Sequence, residues 1–175
     1  MLESAGRVAD GVILNSISTP EYVDFALERI DEGAKSAGRD LSEIEIGHSI
    51  IYSVADEVQE AVAAAKEDVL FYLSYPELDP VIERSQFKSE ATKVRELYSN
   101  GERRKALSAK TDEMLDVFAV YGTPKQCKAK LRKFVRRGVT LPFIRVSTSS
   151  YKESERKEVF LKAIDSLRYY AEASS

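Results

Sequence analysis

Few side chains in this sequence combine a reactive type with a setting that invites chemistry. His48, the only histidine, could serve as an acid or base near neutral pH, yet it lies inside the apolar run 44–52, where a hydrogen-bonded core histidine is the simpler reading. Cys127, the only cysteine, follows a helix start among lysines that would lower its pKa. No partner base is identifiable for it, so an ordinary packing thiol is the better reading. Arg145 falls within Pro142-Phe143-Ile144-Arg145-Val146, where a charge must be paired or must face a site. It either anchors a phosphate or carboxylate or pairs with Asp10 or Glu45. Lys125, Lys128, Lys130, Arg132, Lys133, Arg136 and Arg137 form the densest charge run, either a solvated helix face or an attraction for a polyanion or another subunit. Tyr72, Tyr75, Tyr98 and Tyr121 either line a pocket or form a local core. No His/Cys cluster has metal-ligand spacing, so no metal site is expected.

These side chains are carried by elements with clear local signals. Ala9 to Asn15 is a short apolar run bounded by turn formers, which predicts a buried parallel strand. Ser18-Thr19-Pro20-Glu21 then opens a helix, with a hydroxyl cap and a proline suited to the first turn. Val23, Ala26, Leu27, Ile30, Ala34 and Ala37 recur at helical spacing, and Gly38 supplies a left-handed stop. Ile44 to Tyr52 predicts a second strand, followed by an alanine-rich helix from Asp56 to Leu73. Thr123-Pro124-Lys125-Gln126 is a capping box for a helix to Arg137, with Gly138 as its stop, and Pro142 to Val146 reads as a third strand. A last helix, about Glu153 to Ala173, is expected to bury Phe160, Ala163, Ile164, Leu167 and Ala171. Strands separated by helices imply right-handed crossovers and α/β architecture.

The stretch 56–121 is too long for an ordinary connection and contains helical patterns at 77–84, 89–99 and 111–121, with no convincing strand. It reads as a helical insertion, of the kind that often forms lids. Three strands are few for an α/β domain, and Leu2, Ala5 and Val8 look like the last turns of a helix that no strand precedes. The expectation is a single incomplete domain over 1–175, with Met1 inside a helix.

With 175 residues, 43% apolar and 31% charged, the chain can bury a sizeable core. A net charge of -3 gives no whole-protein basic field, which disfavours nucleic acid as a partner. A lone cysteine cannot form an internal disulfide, so a reduced cytoplasmic protein is expected. No apolar run approaches the roughly 20 residues of a membrane span, and charges in Met1 to Asp10 disfavour a signal peptide.

The run Met1 to Asn15 resembles the helix-strand passage of the luciferase-like family of flavin- and coenzyme F420-dependent oxidoreductases. Gly33-Ala34-Lys35-Ser36-Ala37-Gly38-Arg39-Asp40, the Ile44 strand, Tyr121-Gly122-Thr123-Pro124 and Gly138-Val139-Thr140 before a final strand occur in that family's order. Within it, the pattern is most similar to the archaeal F420-dependent methylenetetrahydromethanopterin reductases. The resemblance implies the C-terminal part of a TIM (β/α)8 barrel, with Val12, Ile46 and Ile144 in about strands 6 to 8 and a long helical insertion at about 56–121. It implies hydride transfer with F420, or FMN as the alternative, the phosphate loop falling just before Met1. Cofactor chemistry needs orientation and exclusion of water more than a triad. The candidate cofactor contacts are therefore polar or charged residues along and after the strands: Asn15, Ser16, Ser49, Tyr52, Arg145, Ser147 and Thr148. The partners it implies are a small-molecule substrate together with a homo-oligomer or a missing N-terminal half. The rival reading is a non-catalytic half-barrel acting as a dimeric or partner-binding subunit, because its open strand edges call for pairing.

Overall fold

The structure, a computed structural model, describes residues 1–135 and 139–171. Helix α1 (Leu2–Val8) runs into strand β1 (Gly11–Leu14), and α2 (Pro20–Ser36) leads to β2 (Glu45–Val54). Five helices follow: α3 (Val58–Leu73), α4 (Asp79–Ile82), α5 (Lys88–Ser99), α6 (Arg103–Ser108) and α7 (Asp112–Phe118). Then come β3 (Ala119–Gly122), α8 (Pro124–Val135), β4 (Leu141–Val146) and α9 (Glu153–Ala171). The predicted Gly138 stop and the arginines Arg136 and Arg137 lie outside the described residues.

Local chemistry explains the first units. Thr19 accepts a hydrogen bond from the Tyr22 amide at 3.2 Å and caps α2. Gly38 takes a positive φ of 72° after α2, and Asp40 with Glu43 forms a capping box on the following 3-10 turn. Arg39 reaches back to donate to the carbonyls of Gly6 and Ala9 at 3.2 and 2.8 Å, satisfying acceptors at the end of α1. The motif Gly38-Arg39-Asp40 thus works as a structural clasp. Gly6 and Gly33 let α1 lie against α2 backbone to backbone, since a Cβ on Gly33 would stand 2.0 Å from the Glu3 carbonyl oxygen.

Among the described residues the three strand pairings are parallel, and each involves β2. Their hydrogen bonds show how one strand serves three neighbours. The amides of Glu45 and Ala55 bond to Asp10 of the β1 side and Gly122 of β3, whereas the Tyr52 carbonyl accepts from Ser147 beyond β4. Groups of odd and even residues point to opposite edges of a strand, so β1 and β3 share one edge of β2, end to end, and β4 occupies the other. Residues 15–18 fill the gap on the shared edge. The strand at 119–122 corrects the sequence expectation of a helix to Tyr121. Ala119-Val120-Tyr121-Gly122 is too short for a period to show, and its partner, the far end of β2, is remote in sequence.

The sheet has two differently treated faces. On one, Leu14, Ile46, Ile50, Tyr52, Val54 and Val120 pack under α2, α8 and α9. On the other, Ile51, Ala119 and Tyr121 pack under α3 and the rest of the helical segment, and the Ser53 hydroxyl donates to the Ala61 carbonyl at 2.8 Å. The lower half of this second face is bare. Ile13, Leu141 and Phe143 are 66%, 37% and 40% exposed there, and Phe143 lies over Gly47. The β1 strand expected to be buried is therefore half uncovered. Phe160 and Ile164 of α9, expected in the core, are exposed as well; Ala163 is buried and Leu167 partly buried as expected, Val159 and Ser166 are buried beside them, and the side chain of Ala171 lies outside the described residues. Among the described residues, no helix is long and apolar enough to cross a membrane.

Candidate functional site

The second face changes character halfway along β2, where the bare lower part meets the roof made by α3. Ser49 stands at this seam, and its hydroxyl lies 2.6 Å from that of Ser16, the residue that enters from β1. Asn15 braces the turn, its side-chain oxygen accepting from the Ser16 amide at 2.6 Å. Pairing of Ser49 with Phe143 and of Ile51 with Arg145 puts Ser49 and Arg145 on the same face. Neighbouring strands and a two-residue step separate their backbones by roughly 8 Å. Four of the predicted positions, Asn15, Ser16, Ser49 and Arg145, are thus gathered along one seam.

Arg145 does not pair with Asp10 or Glu45. Its guanidinium sits 5.3 Å from the centroid of the Tyr72 ring, and no carboxylate lies within salt-bridge distance among the described residues. It borders a cleft of about 190 Å³ between α3, α5, α6 and the exit of β4, lined by Glu67, Asp68, Phe71, Tyr98, Arg103 and Ser149, among others. Asp68 is 3% exposed and accepts a hydrogen bond from Ser149 at 2.5 Å. Glu67 pairs with Arg103. None of the acids of this cleft was visible as a site residue in sequence reasoning. A usable signal existed: Asp68 occupies the inward stripe Ala61-Ala65-Asp68 of α3, where a charge is out of place unless it meets a polar space.

The other predicted positions serve differently. Tyr52 points to the opposite face, and its hydroxyl shares a 2.8 Å hydrogen bond with Ser166 of α9; burial pushes its pKa far up. It is a core residue under the outer helices. Ser147 is fully buried, and its amide donates to Tyr52 at 2.9 Å while its hydroxyl has no hydrogen-bond partner among the described residues. Thr148 follows it, its carbonyl turning the chain by accepting from Tyr151.

His48 also lies on the helix-covered face. Burial lowers its pKa to about 4, opposed by a hydrogen bond with the Asn15 backbone, so it is neutral at physiological pH. Burial pushes the Cys127 thiol up to about 12, and its Sγ donates to the carbonyls of Ser53 and Gly122, so it is a packing thiol. Lys130 pairs with Asp116 at 2.6 Å, and the lysine-rich α8 lies across the sheet from the seam. Tyr121 is core, Tyr72 is half-buried beside Arg145, and Tyr75 and Tyr98 are exposed at the rim. Among the described residues, no cluster of three or more potential ligands could hold a metal.

This arrangement puts polar groups just after β1 and near the end of β4, with Ser49 midway along β2 between them, at the edge of a helical roof; α/β sheets bind ligands at the C-terminal side of their strands. Residues 1–141 match the family model described as luciferase-like monooxygenase. The chain belongs to that family. It is 33% identical over 141 residues to the 5,10-methylenetetrahydromethanopterin reductase of Methanopyrus kandleri, a match that covers 80% of this chain and 40% of that relative. The solved coenzyme F420-dependent tetrahydromethanopterin reductase of the same organism superposes with a TM-score of 0.72 at 27% identity, over 91% of this chain and 45% of that one. An F420-dependent secondary alcohol dehydrogenase shares the fold, with a TM-score of 0.63 at 18% identity over 95% and 45%. The chain therefore spans less than half the length of these proteins. Its fold is α/β, a parallel sheet with many helices, as in the F420-dependent reductase.

Proposed function

We propose that this chain forms the strand 6 to 8 part of a (β/α)8 barrel oxidoreductase that transfers hydride with coenzyme F420 and a small-molecule substrate, FMN being the alternative cofactor. The observation that carries this reading is the seam of Ser16 after β1, Ser49 midway along β2 and Arg145 near the end of β4, in a sheet similar to that of an F420-dependent reductase. When bound, such a cofactor supplies the hydride chemistry itself. The residues present fit it. Arg145, free of carboxylate partners among the described residues, can hold a phosphate or carboxylate through a planar fork of donors, and the paired hydroxyls of Ser16 and Ser49 can donate to or accept from a ring edge. The α3 roof excludes water from the upper half of the face, which strengthens every polar contact made beneath it. A reducing, cytoplasmic setting accords with the single cysteine being a free, buried thiol.

Binding of F420 and FMN to the purified chain, followed by fluorescence quenching, tests the reading. Saturable F420 binding that weakens roughly 10-fold or more in Arg145→Gln is expected, the loss of a charge-assisted contact being worth that much. Absence of binding of either cofactor would overturn it for this chain.

A second reading, a non-catalytic partner-binding subunit, rests on a separate observation. Ile13, Leu141 and Phe143 leave an apolar floor uncovered, and β4 has no neighbour on its outer edge among the described residues. The cover would be a second copy or a segment carrying the remaining strands of a barrel. Light scattering distinguishes an associated chain from a monomer, and the cofactor titration distinguishes the two functions.

A further inference from the structure

We propose that Tyr72 is a positioning residue for Arg145: its ring holds the guanidinium at the edge of the cleft without neutralising it, so that the fork of donors stands ready for an anionic group of the ligand. This deepens the oxidoreductase reading and rests on it only for the identity of that ligand. Arg145 is exposed, in a strand whose other side chains are apolar. A long, flexible side chain in that setting has no fixed place unless something holds it. The usual holder is a carboxylate, and two of them, Glu67 and Asp68, line the same cleft. Both are engaged elsewhere: Asp68 accepts from Ser149, and Glu67 pairs with Arg103.

The guanidinium instead sits over the Tyr72 ring, 5.3 Å from its centroid. A carboxylate would fix Arg145 by consuming its charge and its donors, whereas the face of a ring attracts the cation and leaves the N–H groups along its planar edge free. The ring is mounted firmly enough to do this. Tyr72 is partly buried against the core of the helical segment, and Phe71 meets it edge-on with ring centroids 5.4 Å apart. The turn that ends α3 is pinned by Arg95 of α5, which donates through Nε to the Leu73 carbonyl at 2.9 Å and through Nη2 to the Tyr75 carbonyl at 3.3 Å, with Nη1 on Asp79 at 2.5 Å. Arg95 thus satisfies carbonyls that a helix end leaves open and fixes the backbone beside Tyr72. Order passes from the helical segment through one aromatic ring to a charge on the sheet. Tyr72 acts through Arg145 and need not touch the ligand itself.

Two measurements test this, and the first needs no ligand. In the isotopically labelled chain the Arg145 Nε–H signal, assigned by its disappearance in Arg145→Lys, is expected to show a heteronuclear NOE well above that of the exposed Arg156 and an upfield ring-current shift. Tyr72→Phe keeps both features, and Tyr72→Leu loses both. Coenzyme F420 titrated into the same proteins should bind roughly 2- to 5-fold more weakly to Tyr72→Leu, the worth of an exposed cation–π contact, and with unchanged affinity to Tyr72→Phe. In the Arg145→Gln background Tyr72→Leu should cost nothing further. An Arg145 signal as mobile as that of Arg156 in the unaltered chain overturns the proposal, and this outcome requires no variant at Tyr72 to fold. So does an Arg145 signal that Tyr72→Leu leaves as ordered as before, or F420 binding that is indifferent to Tyr72→Leu. A loss of F420 affinity on Tyr72→Leu that is as large without Arg145 as with it also overturns it, because the ring would then touch the ligand directly. Order at Arg145 that depends on Tyr72, with no F420 binding, supports the positioning role and sinks only the cofactor reading.

Discussion

Lys110 offers the sharpest test of the energetics of the helical segment. It is 1% exposed, at the end of α6, and its ammonium donates to the Ala106 carbonyl at 3.1 Å. Burial lowers its pKa from 10.5 to about 8; Glu67 opposes the shift, and Lys66 and Arg103 add to it. At roughly 1.36 kcal/mol per pH unit, holding the charge inside the fold costs about 3 kcal/mol more than in the unfolded chain. The sign follows from which state prefers the proton. Below pH 8 both states are charged and the full penalty applies. Between about 8 and 10.5 the folded lysine is neutral while the unfolded one still holds its proton, so the penalty fades as the pH rises.

Lys110→Met keeps length and flexibility while removing the charge. At pH 6 it relieves about 3 kcal/mol but leaves the Ala106 carbonyl without its ammonium donor, a loss of about 1–2 kcal/mol, so a net gain of about 1–2 kcal/mol is expected. At pH 10 only about 1 kcal/mol of penalty remains, and the variant should be no more stable than the parent. Urea unfolding of both proteins at pH 6, 8 and 10 reads the difference directly. The unaltered chain should gain about 2.5 kcal/mol on the variant between pH 6 and 10. A difference that stays constant over this range would refute the reasoning, because it would mean that the ammonium is solvated in the folded state.

Three further outcomes are expected. Gly33→Ala places a Cβ 2.0 Å from the Glu3 carbonyl oxygen, so α1 must move off α2, costing about 1–3 kcal/mol in urea unfolding and exposing the α1 amides to hydrogen exchange. Tyr52→Phe loses the bond to Ser166, which keeps its own to the Ala163 carbonyl at 2.7 Å; stability should fall by about 1 kcal/mol with F420 titration unchanged. His48, with its pKa lowered from 6.5 to about 4, must stay neutral in the fold, so stability should drop by up to about 3 kcal/mol as the pH falls from 6.5 to 4. That drop should be absent from His48→Gln, and an acid limb of the same depth in both proteins would contradict the burial argument.

What could be read from the sequence divides along physical lines. Helix starts at Thr19 and Thr123 and the strands around Ile46 and Ile144 were legible because caps and apolar runs are local signals. Strand β3 was not, because Ala119 to Gly122 is held as a strand by pairing with residues nearly seventy positions earlier. The direction of Tyr52 was equally hidden. Its neighbours Ile51 and Ser53 are as buried as it is, so alternation gives no clue to which face meets helices and which meets the seam. Arg145 is legible because a charge in an apolar strand is conspicuous, whereas Asp68 is not, because charges in helices are ordinary.

The two halves of the inner face give these observations a common cause. Over the upper half, the segment from α3 to α7 replaces solvent with a roof and brings its own charges, Glu67, Asp68 and Arg103, to meet Arg145 and Ser149 of the β4 exit. The lower half presents Ile13, Gly47, Leu141 and Phe143, an apolar floor with the exposed Glu45 at its far end, the start of β2. Polar recognition therefore concentrates at the seam and above it, and the floor next to the seam, Ile13, Gly47 and Phe143, contributes apolar contact. A ligand that uses this face should place its hydrogen-bonding edge toward α3 and its apolar body toward Phe143. The site needs the helical segment as much as the strands: removing α3 to α7 would strip away the carboxylates and the aromatic rim while leaving the Ser16–Ser49 pair in place, and any affinity that survived would measure the share carried by the sheet.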